Sequence, residues 1–223
     1  MTATVAVELA SGTVTVPLIW DHATTPSAVM LLAHGAGAGP EHPFLAGFAA
    51  AAAEGGISVA RFPFPYVVAG RRMPGPAAHA TATWTAVAEA VTAAMPGVPL
   101  VAAGKSYGGR MASMAAADGA LAPAALVYLG YPLHPPGRPD RPRVEHLARV
   151  SAPQLFVSGT LDPFVEPLTD LDAAVASCRD GAQLRLEGAR HSFEVAGRRR
   201  APETIGAEVL TAVLPWIRGR ATG

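Results

Sequence analysis

Short runs that are apolar at nearly every position recur along the chain, and alanine-rich stretches of helical length separate them. Residues 28–33 (Ala-Val-Met-Leu-Leu-Ala) and 124–131 (Ala-Ala-Leu-Val-Tyr-Leu-Gly-Tyr) contain no charged side chain. Runs of this length and composition are typical of central strands that are covered on both faces of a sheet. The full set of predicted strands is residues 5–9, 13–20, 28–33, 57–62, 99–103, 124–131, 154–158 and 184–186.

A period close to that of an α-helix marks several of the intervening stretches. In residues 77–95, Trp84, Val87 and Val91 are spaced to share one face, which predicts a long amphipathic helix. Residues 63–76 are predicted to form an irregular loop. The other predicted helices are residues 41–54, 107–118, 166–178 and 202–218.

The order of these elements predicts the fold class, which is α/β. Strands that alternate with helices at this spacing form right-handed β-α-β crossovers, and therefore a mostly parallel central sheet with helices on both faces. Residues 5–9 and 13–20 are predicted to open the chain as a strand pair joined at Ser11-Gly12. The proline-rich stretch 132–142 is too short for a large cap, so a single domain over residues 1–223 is expected.

Composition narrows the class of protein further. Half of the 223 residues are hydrophobic and 15% are charged, as in a compact globular protein, and 17 basic residues balance 17 acidic ones. This balance gives no overall field that would favour nucleic acid or an anionic membrane. The start of the chain lacks the cationic region and apolar core of a signal peptide, which predicts a cytoplasmic protein. Cys178 is the only cysteine, so neither an intrachain disulfide nor a cysteine-based zinc site is expected.

Residues 104–109, Gly-Lys-Ser-Tyr-Gly-Gly, lie between predicted strand 99–103 and predicted helix 107–118. A Gly-x-Ser-x-Gly motif in this position is typical of a nucleophile elbow, which raises a serine above the edge of the sheet. Ser106 is therefore the predicted nucleophile. The letters Gly-Lys-Ser also end a phosphate-binding P-loop, but that motif requires a glycine where this chain has Pro99, so the nucleotide-binding interpretation fails.

A nucleophilic serine requires a base, and the base requires a carboxylate that orients it. Predicted strand 154–158 leads to Asp162, and predicted strand 184–186 leads to His191. The order serine, acid, histidine, with each residue after a strand, is that of a hydrolase triad. The alternatives at the single positions are a turn residue before Pro163 and a solvated loop histidine, and the shared order favours the triad.

An oxyanion hole would complete such a site. The backbone N–H of Tyr107, which follows the nucleophile, is the first predicted donor. The glycine-rich residues 34–39, after the third predicted strand, let the backbone approach a substrate carbonyl, and Ala36 is predicted as the second donor. The alternative for this loop is a dinucleotide fingerprint with Arg61 on a 2′-phosphate, but Pro40 replaces its third glycine.

Five further side chains are candidates for substrate binding. Arg71 and Arg72 lie on predicted loop 63–76 and would suit a substrate carboxylate, although a solvated or salt-bridged pair fits the pattern equally well. His34 is predicted to anchor its loop rather than to ligate a metal, because no carboxylate–histidine cluster accompanies it. The other three substrate-binding candidates are predicted either to line the pocket or to pack in the core, and they are Tyr66, Tyr131 and His134.

Several motifs taken together match a known family. They are residues 34–37 (His-Gly-Ala-Gly), 61–66 (Arg-Phe-Pro-Phe-Pro-Tyr), 70–72 (Gly-Arg-Arg), 104–110 (Gly-Lys-Ser-Tyr-Gly-Gly-Arg), 129–137 (Leu-Gly-Tyr-Pro-Leu-His-Pro-Pro-Gly), 159–162 (Gly-Thr-Leu-Asp) and 191–193 (His-Ser-Phe). From about residue 28 to its end, the chain resembles the α/β-hydrolases, broadly of the dienelactone-hydrolase kind. More narrowly, it is similar to the bacterial relatives of the testis-expressed hydrolase-like proteins and of a chromatin-complex subunit. Dienelactone hydrolases typically carry a cysteine where this chain has Ser106.

These residues and the resemblance predict a serine hydrolase that cleaves a small acyl ester, lactone or thioester through an acyl-enzyme. No metal or organic cofactor is expected. The expected partner is a small-molecule acyl substrate, and neither nucleic acid nor a membrane is expected to bind. Two alternatives stay open: a non-catalytic binding or scaffold protein that retains the triad, and an acyltransferase or peptidase that uses the same residues.

Overall fold

The computed structural model describes residues 3–221, which form nine strands and six α-helices. The strands are β1 Thr4–Leu9, β2 Gly12–Pro17, β3 Ile19–Asp21, β4 Ala28–Ala33, β5 Ile57–Phe62, β6 Leu100–Lys105, β7 Ala125–Leu129, β8 Gln154–Gly159 and β9 Gly181–Leu186. The helices are α1 Pro43–Glu54, α2 Pro65–Val68, α3 Ala77–Ala94, α4 Tyr107–Ala117, α5 Leu168–Ser177 and α6 Pro202–Ala221. No helix in this part of the chain is long and apolar enough to cross a membrane.

Seven of these strands form one sheet in the order β3-β5-β4-β6-β7-β8-β9. Strand β3 is antiparallel to β5, and every other neighbouring pair is parallel. Strands β4, β5, β7 and β8 are buried at every position, as their apolar sequences predict for strands covered on both faces. The predicted α/β class with a mostly parallel sheet is therefore confirmed.

Helices cover the sheet on both faces. One apolar layer includes side chains of α1 and α6, and the other includes side chains of α3, α4 and α5. Helices α1 and α6 approach so closely that a Cβ atom at Gly206 would lie 2.1 Å from the Phe44 carbonyl oxygen, and one at Gly47 would lie 2.0 Å from that of Glu203. Glycine is required at both positions because the two backbones are in direct contact.

The predicted single strand over residues 13–20 is wrong, because the chain breaks there. Strand β2 pairs with β1 in a separate two-stranded sheet, whereas β3 joins the main sheet beside β5. Pro17 lies at the break and has no N–H for a continuing ladder. The next N–H, that of Leu18, donates to the Ala3 carbonyl oxygen at 2.8 Å, so the chain leaves one sheet and enters the other within two residues.

Two other elements differ from the sequence prediction. The loop predicted over residues 63–76 contains helix α2, whose first residue is Pro65, and proline is favourable at that position. Strand β9 begins at Gly181 rather than at Leu184. This strand lies at the edge of the sheet and exposes Gln183 and Arg185 on one face, so its alternating pattern lacks the apolar run that marks the central strands.

Candidate active site

The turn between β6 and α4 has the geometry of a nucleophile elbow. Ser106 has φ 49° and ψ −113°, a left-handed conformation that is rare for residues other than glycine and stores strain. A Cβ atom at Gly104 would lie 2.3 Å from the Gly109 nitrogen, and one at Gly108 would lie 2.6 Å from the His34 carbonyl oxygen. The two glycines of the motif are thus required by the close approach of strand, helix and neighbouring loop.

Asp162 and His191 come together at the ends of β8 and β9. The Nδ1 atom of His191 lies 2.7 Å from Asp162 Oδ2, and the other carboxylate oxygen accepts a hydrogen bond from the Phe164 N–H at 2.9 Å. The Asp162 side chain is fully buried, whereas a quarter (25%) of the His191 side chain is exposed. Because the carboxylate is an acceptor, it holds the proton on Nδ1 and leaves Nε2 as the basic nitrogen.

The environment of His191 favours the neutral imidazole. Burial is the largest effect and lowers the pKa of His191 below its usual value, and the positive charge of Lys105 acts in the same direction. The hydrogen bond from His191 to Asp162 opposes this shift and raises the pKa. A neutral histidine at pH 7 is the form that accepts a proton, as a general base must.

A cavity of about 730 Å³ brings the predicted nucleophile and base to one place. Its wall includes Ser106, His191, Ala36 and Tyr107. A Cβ atom at Gly35 would lie 3.6 Å from the Ser106 Cβ atom, so the loop after β4 passes directly beside the serine. Asp162 does not line this cavity. It lies behind His191, where an orienting carboxylate is shielded from solvent.

His34 fixes the loop that carries Ala36. It is fully buried, its Nδ1 atom lies 2.8 Å from the Gly35 carbonyl oxygen, and its Nε2 atom accepts a hydrogen bond from the Phe64 N–H at 3.1 Å. This arrangement requires a neutral ring with the proton on Nδ1, and burial lowers the pKa of His34 accordingly. These contacts agree with the predicted anchoring role.

Arg61 has a structural role beside the same loop. Its guanidinium forms an ion pair with Asp21 at 3.0 Å and donates a hydrogen bond to the Pro40 carbonyl oxygen at 2.8 Å. The side chain therefore links β5, β3 and the end of the glycine-rich loop. These contacts occupy the group that a dinucleotide 2′-phosphate would require.

Lys105 is a residue whose position the sequence did not indicate. Its Nζ atom donates a 2.6 Å hydrogen bond to the main-chain carbonyl oxygen of His191 and lies 5.0 Å from the centre of the Phe193 ring. Burial lowers the pKa of Lys105 to about 8. The available signal was that the only lysine of the chain directly precedes the predicted nucleophile.

The five candidate substrate-binding residues lie outside the wall of the larger cavity. Tyr66 and Arg71 line a second cavity of about 190 Å³, whose wall also includes Tyr107. Burial raises the pKa of Tyr66 to about 12. Arg72 is exposed, and His134 is buried with its Nδ1 atom 2.8 Å from the Pro135 carbonyl oxygen.

Tyr131 is a core residue. It is fully buried, its ring packs on those of Tyr128 and Phe156, and its hydroxyl donates a hydrogen bond to the Arg143 carbonyl oxygen at 2.9 Å. The packing alternative that the sequence left open describes these contacts. Through its hydroxyl, Tyr131 also holds the backbone at Arg143, which does line the larger cavity.

A serine–histidine hydrogen bond lies outside the wall of this cavity. Ser113 Oγ is 2.7 Å from His146 Nε2, but Ser113 is fully buried, and its hydroxyl also donates to the Arg110 carbonyl oxygen at 2.7 Å. Burial lowers the pKa of His146 to about 4, and Ser113 does not line the cavity. This pair joins α4 to the loop after β7 and lacks access to a substrate.

Metal ligands are not grouped anywhere in the described part of the chain. Among residues 3–221, no cluster of three or more histidine, cysteine, aspartate or glutamate side chains is arranged to hold a metal ion.

Comparison with known proteins places this site in context. A family model described as "Alpha/beta hydrolase domain" matches residues 26–214. A dienelactone hydrolase from Anabaena variabilis superposes with a TM-score of 0.76 and 19% identity, covering 99% of this chain and 98% of that one. A serine hydrolase without a lid from Xanthomonas campestris gives a TM-score of 0.72 and 22% identity over 96% and 94% of the two chains. Est1E from Butyrivibrio proteoclasticus, bound to ferulic acid, superposes with a TM-score of 0.73 and 14% identity, covering 94% of this chain and 96% of that one.

At these identities the solved structures establish a shared fold, while the family match covers most of the sequence. The match includes the elbow at Ser106, the Asp162 loop and the His191 loop. The chain therefore belongs to the alpha/beta hydrolase domain family.

Proposed function

We propose that this protein is a serine hydrolase that cleaves a small acyl ester, lactone or thioester. The observation that carries the proposal is the strained Ser106 on the wall of a cavity that His191 also lines, with His191 held by a buried carboxylate at 2.7 Å. Strain of this kind persists only where the surrounding structure enforces it, and it is concentrated at functional sites.

In the proposed reaction, Ser106 Oγ attacks the substrate carbonyl carbon while His191 Nε2 takes the hydroxyl proton. The C=O bond becomes a single bond, and the negative oxygen accepts hydrogen bonds from the Ala36 and Tyr107 amides. As this intermediate collapses, the bond to the leaving group breaks, and His191 returns the proton to the departing alcohol or thiol. An acyl-serine ester remains.

Water completes the proposed cycle. His191 takes a proton from a water molecule, whose oxygen attacks the acyl carbon, and the second tetrahedral intermediate breaks the bond to Ser106 Oγ. The proton returns to that oxygen, and the product carboxylic acid leaves. Throughout, Asp162 holds the imidazole in one tautomer and stabilises it when it carries the proton.

The size and shape of the cavity support a small substrate. Its volume of about 730 Å³ is within the range of small-molecule sites, and the stretch 132–142 adds no large cap above it. One related structure is Est1E with bound ferulic acid and another is a dienelactone hydrolase. Because Ser106 stands where dienelactone hydrolases typically have a cysteine, we propose other acyl esters before dienelactone itself.

Covalent labelling with a fluorophosphonate probe tests the proposal directly. The probe forms a stable bond with an activated serine, so native protein is expected to gain one adduct, and Ser106→Ala is expected to gain none. Ser113→Ala is the matched control, because Ser113 is a serine that is hydrogen-bonded to a histidine and is buried away from the cavity. Labelling of Ser113→Ala should equal that of native protein.

Labelling, together with assays of hydrolysis and acyl transfer, separates the alternative functions. Folded native protein that gains no adduct would refute the hydrolase proposal and favour a binding protein that retains the three residues. Labelling at Ser106 without release of acid from p-nitrophenyl butyrate, but with transfer of the acyl group to an added amine or thiol, would favour an acyltransferase. Cleavage of peptides in preference to esters would favour a peptidase.

A further inference from the structure

The larger cavity carries an excess of positive charge, and apart from Lys105 the proposed ester chemistry does not use it. Basic residues on its wall are Lys105, Arg110, Arg143 and Arg190, whereas Glu194 is the one acidic residue among the described residues that line it. The whole chain is neutral, with 17 basic and 17 acidic residues. A cleft lined mainly by one sign of charge attracts ligands of the opposite sign.

Arg110 lies one helical turn after the proposed nucleophile. Its backbone N–H donates to the Ser106 carbonyl oxygen at 3.1 Å, so its Cα is about 5–6 Å along helix α4 from Ser106. The Nε atom of Arg110 is buried and has no hydrogen-bond partner within the described part of the chain. A buried guanidinium donor without an acceptor is costly, and an acceptor supplied by a bound molecule would remove that cost.

Arg143 reaches the same cavity from the loop after β7. The hydroxyl of the buried Tyr131 fixes the backbone of Arg143 by a 2.9 Å hydrogen bond to its carbonyl oxygen. Burial is the largest effect that lowers the pKa of the Arg143 guanidinium, and the charge of Arg110 lowers it further. The two arginines therefore line one cavity and lie close enough for their charges to repel each other.

Neither arginine has an ion-pair partner in the described part of the chain. The ion pairs formed among residues 3–221 do not include Arg110 or Arg143. Elsewhere in the molecule arginines such as Arg61 and Arg220 have carboxylate partners. Two half-buried guanidinium groups without an ion-pair partner offer donors that suit a carboxylate or a phosphate.

We propose that the substrate of this site carries an anionic group, a carboxylate or a phosphate, which Arg110 and Arg143 bind while the ester carbonyl lies at Ser106. This inference rests on the proposed hydrolase function and deepens it by naming the substrate class. The spacing along α4 sets the anionic group a few bonds from the reacting carbonyl. Hemiesters of short dicarboxylic acids, and acyl esters with an acidic leaving group, have this arrangement.

Paired chromogenic esters test the acyl side. Rates are measured for p-nitrophenyl hemisuccinate, whose acyl group ends in a carboxylate, and for p-nitrophenyl butyrate, a neutral ester with an acyl chain of the same length. The readout is the ratio of the two kcat/KM values. Replacing Arg110 or Arg143 by methionine is expected to lower this ratio about 10- to 100-fold, the effect of losing a charge-assisted hydrogen bond.

The leaving-group side has its own pair. The charged substrate is 4-acetoxy-3-nitrobenzoate, in which the carboxylate lies on the phenol that leaves. The neutral substrate is the methyl ester of the same compound. A ratio that falls in the arginine variants for this pair alone would assign the anionic group to the leaving group. A fall for the hemisuccinate pair alone would assign it to the acyl group.

Arg141→Met is the matched control. Arg141 is exposed on the same loop, two residues before Arg143, and does not line the cavity. Its removal changes the net charge by the same amount, so an unchanged ratio in this variant excludes a long-range charge effect. Arg110→Lys and Arg143→Lys keep the charge without the fork, and each is expected to recover part of the ratio.

Binding to Ser106→Ala provides a readout that does not depend on turnover. Calorimetric titration with succinate and with inorganic phosphate should show binding that weakens with added salt and is lost in Ser106→Ala/Arg110→Met. The tighter of the two ions identifies the class of anionic group. The anion proposal would be overturned if neither ion binds and the ratio of kcat/KM values is the same in native protein and in the arginine variants.

The two proposals fail in different ways. If native protein hydrolyses neutral esters and shows no preference for the charged ones, the serine hydrolase stands and the anionic substrate is wrong. If native protein is not labelled by the fluorophosphonate but Ser106→Ala still binds succinate or phosphate through Arg110, the anion site stands without the chemistry. Circular dichroism of each variant shows whether a loss reflects unfolding.

Discussion

The Nζ atom of Lys105 donates a 2.6 Å hydrogen bond to the main-chain carbonyl oxygen of His191. Lys105 directly precedes Ser106, so this bond ties the strand that presents the proposed nucleophile to the loop that presents the proposed base. A Cβ atom at Gly130 would lie 3.0 Å from Lys105 Nζ and 3.3 Å from the His191 ring. The glycine directly after β7 therefore leaves room for both side chains. Lys105 is thus a positioning residue, and its charge also affects His191.

Lys105→Met is expected to lower kcat for a neutral ester about 10-fold and to change KM little. The substitution removes the hydrogen bond and leaves the partly buried His191 carbonyl oxygen without this donor, a loss of about 1–3 kcal/mol. It also removes a positive charge that lowers the pKa of His191. The acid limb of the pH profile of kcat/KM should therefore move to higher pH.

Lys105→Gln separates the two effects of Lys105. Glutamine retains an N–H donor but no charge, so it should recover part of kcat while the acid limb stays shifted. An acid limb that stays in place in both variants would show that Lys105 does not act on His191 electrostatically. A higher KM with unchanged kcat would instead assign Lys105 to substrate contact.

Native protein is expected to have an acid limb in kcat/KM below pH 6.5. Activity requires neutral His191, and burial, the largest effect, lowers the pKa of this group from its usual value. Activity should be full above the limb and fall as the pH drops through the His191 pKa. The test uses a substrate that dissociates faster than it reacts. An acid limb of kcat/KM above pH 7 for such a substrate would contradict an environment that favours neutral His191.

Asp162→Asn should retain the fold and lose about 10³- to 10⁴-fold in kcat. Asparagine keeps an oxygen for the Phe164 N–H, which the native Oδ1 accepts at 2.9 Å. Its amide nitrogen, however, can face His191 Nδ1 and hold the tautomer whose Nε2 carries the proton. Normal thermal unfolding together with near-native kcat would show that Asp162 does not orient His191.

The sequence predicted those parts of this molecule that depend on local pattern. Central strands are apolar on both faces, so β4, β5 and β7 were recognisable, and residues after them were expected at one edge of the sheet. Edge strand β9 alternates polar and apolar positions, and only its last three residues were predicted. The break at Pro17 depends on which of two sheets each neighbour joins, a tertiary choice that the strand pattern does not contain.

The same distinction applies within the candidate site. Ser106, Asp162 and His191 follow strands in an informative order, and their catalytic roles stay predictions until the labelling experiment is made. Lys105 contacts a carbonyl oxygen 86 positions away, and no local spacing indicates such a contact. Arg110 and Arg143 were hidden for a related reason: their significance is the lack of a carboxylate partner, which requires knowledge of every neighbour.

Gly108→Ala is expected to destabilise the protein by about 1–3 kcal/mol. The new methyl group would lie 2.6 Å from the His34 carbonyl oxygen and 2.9 Å from the Ala33 backbone oxygen, and backbone cannot move away as a flexible side chain can. In a chain of this size the melting temperature should fall by about 2–12 °C. Gly39→Ala is the control, because a Cβ atom there meets nothing within 4 Å. Equal melting temperatures for the two variants would contradict the tight packing of the elbow.

His34 makes the stability of the protein depend on pH. Burial lowers the pKa of His34 in the folded state, whereas the unfolded chain has a histidine pKa near 6.5. The unfolded state therefore binds more protons between these two values, so the contribution of His34 is complete above about pH 6.5 and is lost as the pH falls. Protonation would also place a donor on Nε2, opposite the Phe64 N–H that it now accepts from.

His34→Gln is expected to remove this dependence and to lower the free energy of unfolding by about 1–3 kcal/mol at pH 7.5. Urea unfolding at pH 7.5 and pH 5 measures the difference between native protein and the variant at each pH. The pKa values of His146 and His191 are also lowered by burial, but both groups are present in each protein and cancel in that difference. The gap should therefore narrow at pH 5, because native protein alone loses the His34 contribution. A gap that stays constant would mean that the His34 ring does not change its proton occupancy on unfolding, and the neutral tautomer that anchors the Ala36 loop would have to be abandoned.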